Sequence, residues 1–401
     1  MIVKQEQLTE NNRKPMSSYL APLVRDIQPS GIRKFFDLVS ANKDIITLGV
    51  GEPDFVTPWH IREACVYSLE RGFTRYTSNA GMPELREAIA RYLHDSFHVS
   101  YDPKDEIMVT VGGSEAIDLA LRALIVPGDE ILVPEPSYIS YSPITSISGG
   151  VAVGIETTAE NQFKLTAEAL EASITPKSKI LILCYPSNPT GAIMTYEDWL
   201  PIAKVVEKHD LIVISDEIYA ELTYEGKHVS FASVPGMKDR TILVSGFSKA
   251  FSMTGWRMGY TCAHPELLSA MLKIHQYTVM CAPAMGQVAA LEALTNGMEE
   301  KDRMMESYNQ RRRLIVQGLC DIGLECHEPH GAFYAFPSIK RTGLTSDEFA
   351  QRLLTEAKVA AVPGSVFGLG GEGFIRCSYA TSISQLNEAL DRMGNFVQKL
   401  T

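Results

Sequence analysis

Six short apolar runs, set among helical patterns and turns, constrain this chain more than any other feature. They are IMVTV (107–111), EILVP (130–134), VAVGI (151–155), KILILCY (179–185), LIVIS (211–215) and TILVS (241–245). The runs are continuous rather than alternating, as expected of strands covered on both faces. Helical patterns cover roughly 58–71, 83–97 and 114–125, and Thr195-x-x-Asp198 is a capping-box variant that opens another helix. Strand–helix alternation over nearly 200 residues predicts an α/β fold with a mainly parallel sheet wrapped by helices.

Either side of this block the pattern differs. Residues 1–30 read as a polar, irregular arm interrupted by Pro15, Pro22 and Pro29. A helical pattern from 31 to about 41 follows, then IITLGVGEPDF (45–55), a short strand entering a Gly/Pro turn. Beyond about 290 the expected elements are a long helix (300–322) and a strand at AFYAF (332–336). A helix capped at Thr345-x-x-Glu348 and strands near 359–362 and 374–378 come next. The last helix opens at Ser382 and carries Leu386, Leu390, Met393, Val397 and Leu400 on one stripe. This predicts a large domain over 58–290 and a smaller α+β domain over 291–401 joined by part of 1–57, with a ligand cleft between them.

The chain has 401 residues, 37 Lys plus Arg against 48 Asp plus Glu, and a net charge of −11, which argues against nucleic acid as a partner. No apolar run approaches the roughly 18 residues of a membrane span, and the first residues lack a signal-peptide core. Cys65, Cys184, Cys262, Cys281, Cys320, Cys326 and Cys377 form an odd, scattered set without metal-site spacing. Reduced thiols in a cytoplasmic protein, with no metal and no membrane, are the expectation.

Parallel sheets bind ligands beyond the carboxyl ends of their strands. After 107–111 come Gly112, Gly113 and Ser114 at a helix start, whose free N–H groups favour an anion, although many such turns are merely tight. After 179–185, Asn188 is flanked by Pro186 and Pro189; after 211–215, Asp216 needs a cationic or proton-donating partner if it is desolvated. After 241–245 come Gly246, Phe247, Ser248 and Lys249, with Arg257 eight residues further on. A lysine held near fixed cations in a low-dielectric cleft has a depressed pKa, which suits Schiff-base chemistry. Together these groups ask for a ligand with a phosphate (the 112–114 turn and Arg257), a basic ring nitrogen (Asp216), a polar ring oxygen (Asn188 and Tyr219) and a carbonyl (Lys249). Pyridoxal phosphate has all four.

On SGIRKF (30–35), GEPDF (51–55), YTSNAGMPELR (76–86), YPSNPTG (185–191), SDEIY (215–219), SGFSKAFSMTGWRMGY (245–260) and RCSYA (376–380), the chain resembles fold type I pyridoxal-phosphate enzymes. Within them it is similar to class I/II aminotransferases of the patA-type aromatic and N-acetyl-diaminopimelate kind. The resemblance implies that Lys249 forms the covalent imine and then shuttles the substrate α-proton, while Asp216 keeps the ring nitrogen protonated. Asn188 and Tyr219 would bond the ring oxygen, and Tyr138 would stack on the ring. Gly113, Ser114, Ser248 and Arg257 would hold the phosphate. Position 246, where some relatives carry a phosphate-binding hydroxyl, is Gly. Tyr76 resembles a tyrosine reaching the phosphate of a neighbouring subunit, which implies a homodimer with shared sites. Arg376 would grip the substrate α-carboxylate with its planar fork. Gly51 would border the substrate, with Ile32 and Tyr138 among the pocket walls. The implied reaction is ping-pong transfer of an amino group from an α-amino acid to a 2-oxo acid such as 2-oxoglutarate.

Two patterns point elsewhere. Gly368-Leu369-Gly370-Gly371-Glu372-Gly373 fits G-x-G-x-x-G but leads into a strand rather than a helix, so a loop is expected. Cys326-His327-Glu328-Pro329-His330 has a helix-breaking proline and the wrong spacing for zinc, so it reads as a turn. Three other functions stay open at this point. The same cofactor could serve a β-lyase of cysteine conjugates, the fold could serve a non-catalytic binding protein, and the glycine run alone would suggest a nicotinamide oxidoreductase.

Overall fold

The computed structural model describes residues 14–27 and 44–400. The helical pattern expected over 31–41, and with it Ile32, lies outside the described residues. The apolar runs become β2 (Ile107–Thr110), β3 (Glu130–Glu135), β4 (Val151–Glu156), β5 (Ser178–Cys184), β6 (Ile212–Asp216) and β7 (Thr241–Gly246). With β8 (Gly259–Cys262) they form a seven-stranded sheet in the order β2-β8-β7-β6-β5-β3-β4. Pairings among β3, β4, β5, β6 and β7 are all parallel. β8 runs antiparallel to both its neighbours, β2 and β7. This strand is not foreshadowed by an apolar run, because Gly259-Tyr260-Thr261-Cys262 is short and mixed. Burial on both faces holds for β2 and the central strands but not for β4, whose Val151 is 50% exposed. β4 pairs only with β3 at one edge of the sheet, whereas β2, at the other edge, is wholly buried.

Helices flank this sheet where the periodicity places them, at Trp59–Glu70, Pro83–Phe97 and Gly112–Leu124. The Thr195/Asp198 capping box forms at the start of Tyr196–Lys208. Four further helices, Tyr141–Ile147, Ala167–Ser173, Pro265–Thr278 and Ala284–Asn296, are not singled out by the sequence pattern.

The remaining strands are short. β1 (Ile46–Thr47) pairs in parallel with β10 (Val359–Ala360), bringing the amino-terminal segment to the carboxyl-terminal one. β11 (Val362–Pro363), β12 (Ile375–Ser378) and β9 (Tyr334–Ala335) make a three-stranded antiparallel sheet in that order. Helices Met298–Asp321, Ser346–Glu356 and Ile383–Val397 cover these strands, the second opening with a Thr345/Glu348 capping box. Leu386, Met393, Phe396 and Val397 of the last helix pack in one core with Phe333, Leu353 and Ile375, which puts the predicted apolar stripe against the strands. Among the described residues no helix is long and apolar enough to cross a membrane.

Candidate active site

The carboxyl ends of β5, β6 and β7 and the start of helix Gly112–Leu124 open on one cavity of about 610 Å³. Gly51, Gly113, Ser114, Tyr138, Asn188, Asp216, Tyr219, Ser248, Lys249, Arg257 and Arg376 all line it, whereas Gly112 and Gly246 do not. Tyr76 is 79% exposed and lies outside this chain's own cavity.

Asp216 closes β6 directly beside Cys184, the last residue of β5. Its carboxylate is buried and accepts hydrogen bonds from the Tyr141 hydroxyl at 2.7 Å and the Ile218 N–H at 3.2 Å. Burial nevertheless pushes its pKa up to about 6, against the pull of those two donors. The proton-donating partner that the sequence demanded is therefore Tyr141, which sequence reasoning missed. The available signal was its place three residues after Tyr138 in PSYISY; the two rings meet edge-on, 5.5 Å apart.

The helix start at Gly112 has no side-chain cap, which leaves its first N–H groups free for an anion. Gly112 has φ +75°, and a Cβ there would fall 2.5 Å from the Arg257 guanidinium. A Cβ on Gly259 would fall 2.5 Å from the Gly112 carbonyl carbon, so both glycines are needed for strand, helix start and arginine to converge. Gly113, Ser114, Ser248 and Arg257 surround this seat. At Gly246 a Cβ would press on the Met258 carbonyl oxygen at 2.8 Å, so the hydroxyl-bearing residue of some relatives does not fit this backbone unchanged.

The Lys249 amine donates to the Gly51 carbonyl at 2.6 Å and lies 5.8 Å and 5.7 Å from the Tyr219 and Phe333 ring centres. Burial brings its pKa down to about 8; Arg376 and Arg257 push the same way, while Glu52 and Asp216 oppose. The segment carrying Gly51 is tied down by Asp54, which accepts from the Arg311 guanidinium at 2.7 and 2.8 Å.

Arg376, on β12, is buried. It donates to the Asn188 side-chain oxygen at 2.9 Å and to the Gly49 carbonyl at 2.7 Å, while its Nε has no partner among the described residues. A buried guanidinium facing only neutral acceptors is suited to an anionic ligand. Asn188 sits between two cis peptides, Tyr185–Pro186 and Asn188–Pro189, and Arg376 engages its oxygen, leaving the amide N–H groups to donate. The Tyr219 hydroxyl pairs with that of Tyr334 at 2.8 Å. Tyr334 lies in the strand expected at 332–336, yet nothing local marks it as part of the site.

The two other patterns fall on a loop and a turn, as expected. The run 368–373 joins a short helical turn, Gly364–Phe367, to β12, and its Leu369 N–H donates to the Glu135 carboxylate at 2.8 Å. A Cβ on Gly368 would overlap that carboxylate at 2.3 Å, so the glycine makes room for the Glu135 side chain. In the 326–330 turn, Glu328 accepts from Arg312 at 2.8 Å.

The donors in this cavity fit pyridoxal phosphate group by group: an uncapped helix start with Arg257 for the phosphate, a buried carboxylate for the ring nitrogen, and a primary amine for the aldehyde. A family model described as aminotransferase class I and II matches residues 43–393. The Bacillus subtilis protein named "Putative aminotransferase YugH" is 57% identical over 386 residues, 96% of this chain and 100% of that protein. The same organism's "Probable N-acetyl-LL-diaminopimelate aminotransferase" is 44% identical, covering 96% and 97%. An aspartate aminotransferase of Pyrococcus abyssi is 46% identical, covering 93% and 97%. Among solved structures, an aromatic aminotransferase from Pyrococcus horikoshii superposes with a TM-score of 0.88 at 43% identity, covering 92% of this chain and 100% of that one. The chain belongs to the class I and II aminotransferases, enzymes that depend on pyridoxal phosphate and act on amino acids and 2-oxo acids.

Proposed function

We propose that this enzyme moves the amino group of an aromatic or N-acetyl-diaminopimelate-like α-amino acid to 2-oxoglutarate or a similar 2-oxo acid, in two half-reactions on one site. The observation that carries the reading is the convergence of Lys249, Asp216 and Arg376, from three separate elements, on one cavity. When bound, the cofactor supplies an electron sink for the bond broken at the substrate α-carbon. Lys249 anchors it and, once freed by the incoming amine, carries the α-proton. An amine with a pKa near 8 can accept that proton at neutral pH without holding it too tightly. Asp216, backed by Tyr141, keeps a proton on the ring nitrogen. Asn188 and Tyr219 bond the ring oxygen, and Tyr138 covers a ring face. Gly113, Ser114, Ser248 and Arg257 seat the phosphate. Arg376 binds the α-carboxylate, and Gly51 borders the substrate.

The apolar lining from Ile117, Tyr138, Ile139 and Ile218 supports a donor with a large side chain. Residues 58–290 carry the cofactor, and the smaller domain supplies Gly51 and Arg376 on the substrate side of the cavity. The working unit is a homodimer in the cytoplasm. Phe73, Tyr76 and Tyr277 are exposed, at 54%, 79% and 87%, as residues covered by a second copy would be, with Tyr76 reaching that copy's phosphate seat. Seven unpaired cysteines suit a reducing compartment.

The test is a donor panel of phenylalanine, aspartate, alanine and N-acetyl-diaminopimelate against 2-oxoglutarate. Preference for phenylalanine or N-acetyl-diaminopimelate is expected, and a clear preference for aspartate overturns the substrate assignment.

A further inference from the structure

Tyr334 opens β9, and its ring is almost wholly buried, at 1% exposure. It touches three groups to which the proposed reaction gives work. Its hydroxyl lies 2.8 Å from the Tyr219 hydroxyl. Its ring centre lies 4.5 Å from the guanidinium carbon of Arg376. The same hydroxyl also fills the space a Cβ on Gly51 would need, at 2.7 Å. Residues 51, 219, 334 and 376 are remote in sequence, so the fold converges on this one side chain.

We infer that Tyr334 is a positioning residue that links carboxylate capture at Arg376 to the hydroxyl Tyr219 presents to the cofactor ring oxygen. The inference rests on the roles proposed above for Arg376 and Tyr219. A phenol has one proton to donate. If Tyr219 donates its proton to the ring oxygen, its own oxygen is left to accept, and Tyr334 is the hydroxyl in place to donate to it. Burial pushes the Tyr334 pKa upward, with Arg376 and Tyr219 pulling the other way, so the hydroxyl keeps its proton at neutral pH. A donor behind Tyr219 polarises it and strengthens its bond to the cofactor. That favours the anionic ring oxygen and lowers the pH at which the bound chromophore gives up its proton.

The ring does separate work. A desolvated guanidinium is held against an aromatic face by its quadrupole, and here it keeps the planar fork in place before a carboxylate arrives. The Phe367 ring lies 5.0 Å from the same carbon and assists. Hydroxyl and ring can therefore be removed one at a time.

The experiment compares wild-type, Tyr334→Phe and Tyr334→Leu holoenzymes by pH titration of the visible cofactor band and by KM for the amino donor and the 2-oxo acid. Tyr334→Phe is expected to raise the titration midpoint by about half a unit while each KM stays within about twofold. Tyr334→Leu is expected to raise the midpoint similarly and to raise both KM values about tenfold. A purely structural role would lower the melting temperature and leave the midpoint unmoved. A wild-type midpoint in the Phe variant overturns the link to Tyr219, and a wild-type KM in the Leu variant overturns the platform under Arg376. Should the Leu variant fail to fold, the Phe variant still decides, because a KM that moves with the midpoint, or a midpoint that does not move, refutes the separation. If wild-type protein shows no visible band, the proposed function fails instead.

Discussion

The floor of the cavity and its mouth are built in different ways. On the floor, Asp216 and Cys184 are register partners in adjacent parallel strands, and the helix start at Gly112 packs on the same sheet. Backbone ladders hold these groups, so their spacing is set wherever the sheet forms. At the mouth, Gly49, Asn188, Tyr334 and Arg376 come from four segments and are joined by side-chain bonds and ring contacts. On the proposed roles, the floor is pre-formed for the cofactor, while the mouth is an assembly of side chains that would meet each incoming substrate. Lys249 stands at the seam: it follows β7 in the chain, yet its amine rests on the Gly51 carbonyl.

The largest expected effect comes from removing that seam. Lys249→Ala should lower kcat by about 10⁴-fold or more, since on the proposed roles both the anchor and the proton carrier are lost. Borohydride treatment should then leave the peptide containing position 249 unlabelled, while the floor still binds cofactor reversibly. Near-wild-type turnover in this variant would refute the role of Lys249. At the mouth alone, Arg376→Lys keeps the charge and loses the fork. We expect kcat/KM to fall about 10²-fold for both half-reactions with the cofactor absorbance unchanged. An equal loss of cofactor affinity would show that floor and mouth are not separable.

The same contrast explains what could be read from the sequence. Asn188, Asp216 and Lys249 each lie at or within a few positions of the end of a strand, so an apolar run together with its trailing turn identified them as facing one space. Capping boxes at 195–198 and 345–348 and the apolar stripe of the last helix are equally local signals. The Tyr141–Asp216 and Tyr219–Tyr334 bonds span 75 and 115 positions, and the Arg376–Gly49 bond spans 327. No periodicity encodes such pairs: the first joins the segment after β3 to the end of β6 across one sheet, and the other two join segments of different sheets. β8 escaped for a different reason: a four-residue strand containing glycine has no apolar signature, although its close approach to Gly112 is what the glycine permits.

A smaller effect separates seam from floor by pH. The folded pKa of Asp216, about 6, lies above its ordinary 3.8, so the folded apo-protein binds this proton more tightly than the unfolded chain. Stability from this group should therefore fall as pH rises from about 4 to 6 and stay reduced above that. The folded pKa of Lys249, about 8, lies below 10.5, so its contribution should rise between about pH 8 and 10.5. Denaturant titrations of apo-protein should show Asp216→Asn removing the acid-side decline and Lys249→Met removing the alkaline-side rise, each of about 3 kcal/mol. Parallel stability curves for wild type and both variants would show that neither group is held out of its preferred ionisation state.

The finest test lies within the floor, between adjacent glycines. Gly112 has φ +75°, and a methyl group there would meet the Arg257 guanidinium at 2.5 Å. Gly113 is the next residue of the same helix, and a methyl group there would meet the Val244 side chain at 3.4 Å and the Ser245 carbonyl oxygen at 3.9 Å. Gly112→Ala should destabilise the apo-protein by about 1–2 kcal/mol, because the backbone must leave the left-handed region or Arg257 must move. Gly113→Ala should change stability by less than about 0.5 kcal/mol, since alanine's helix preference offsets the tight contact. If the two variants unfold at the same denaturant concentration, strain at the helix start is not what seats Arg257, and the picture of a backbone-held floor fails at its most local point.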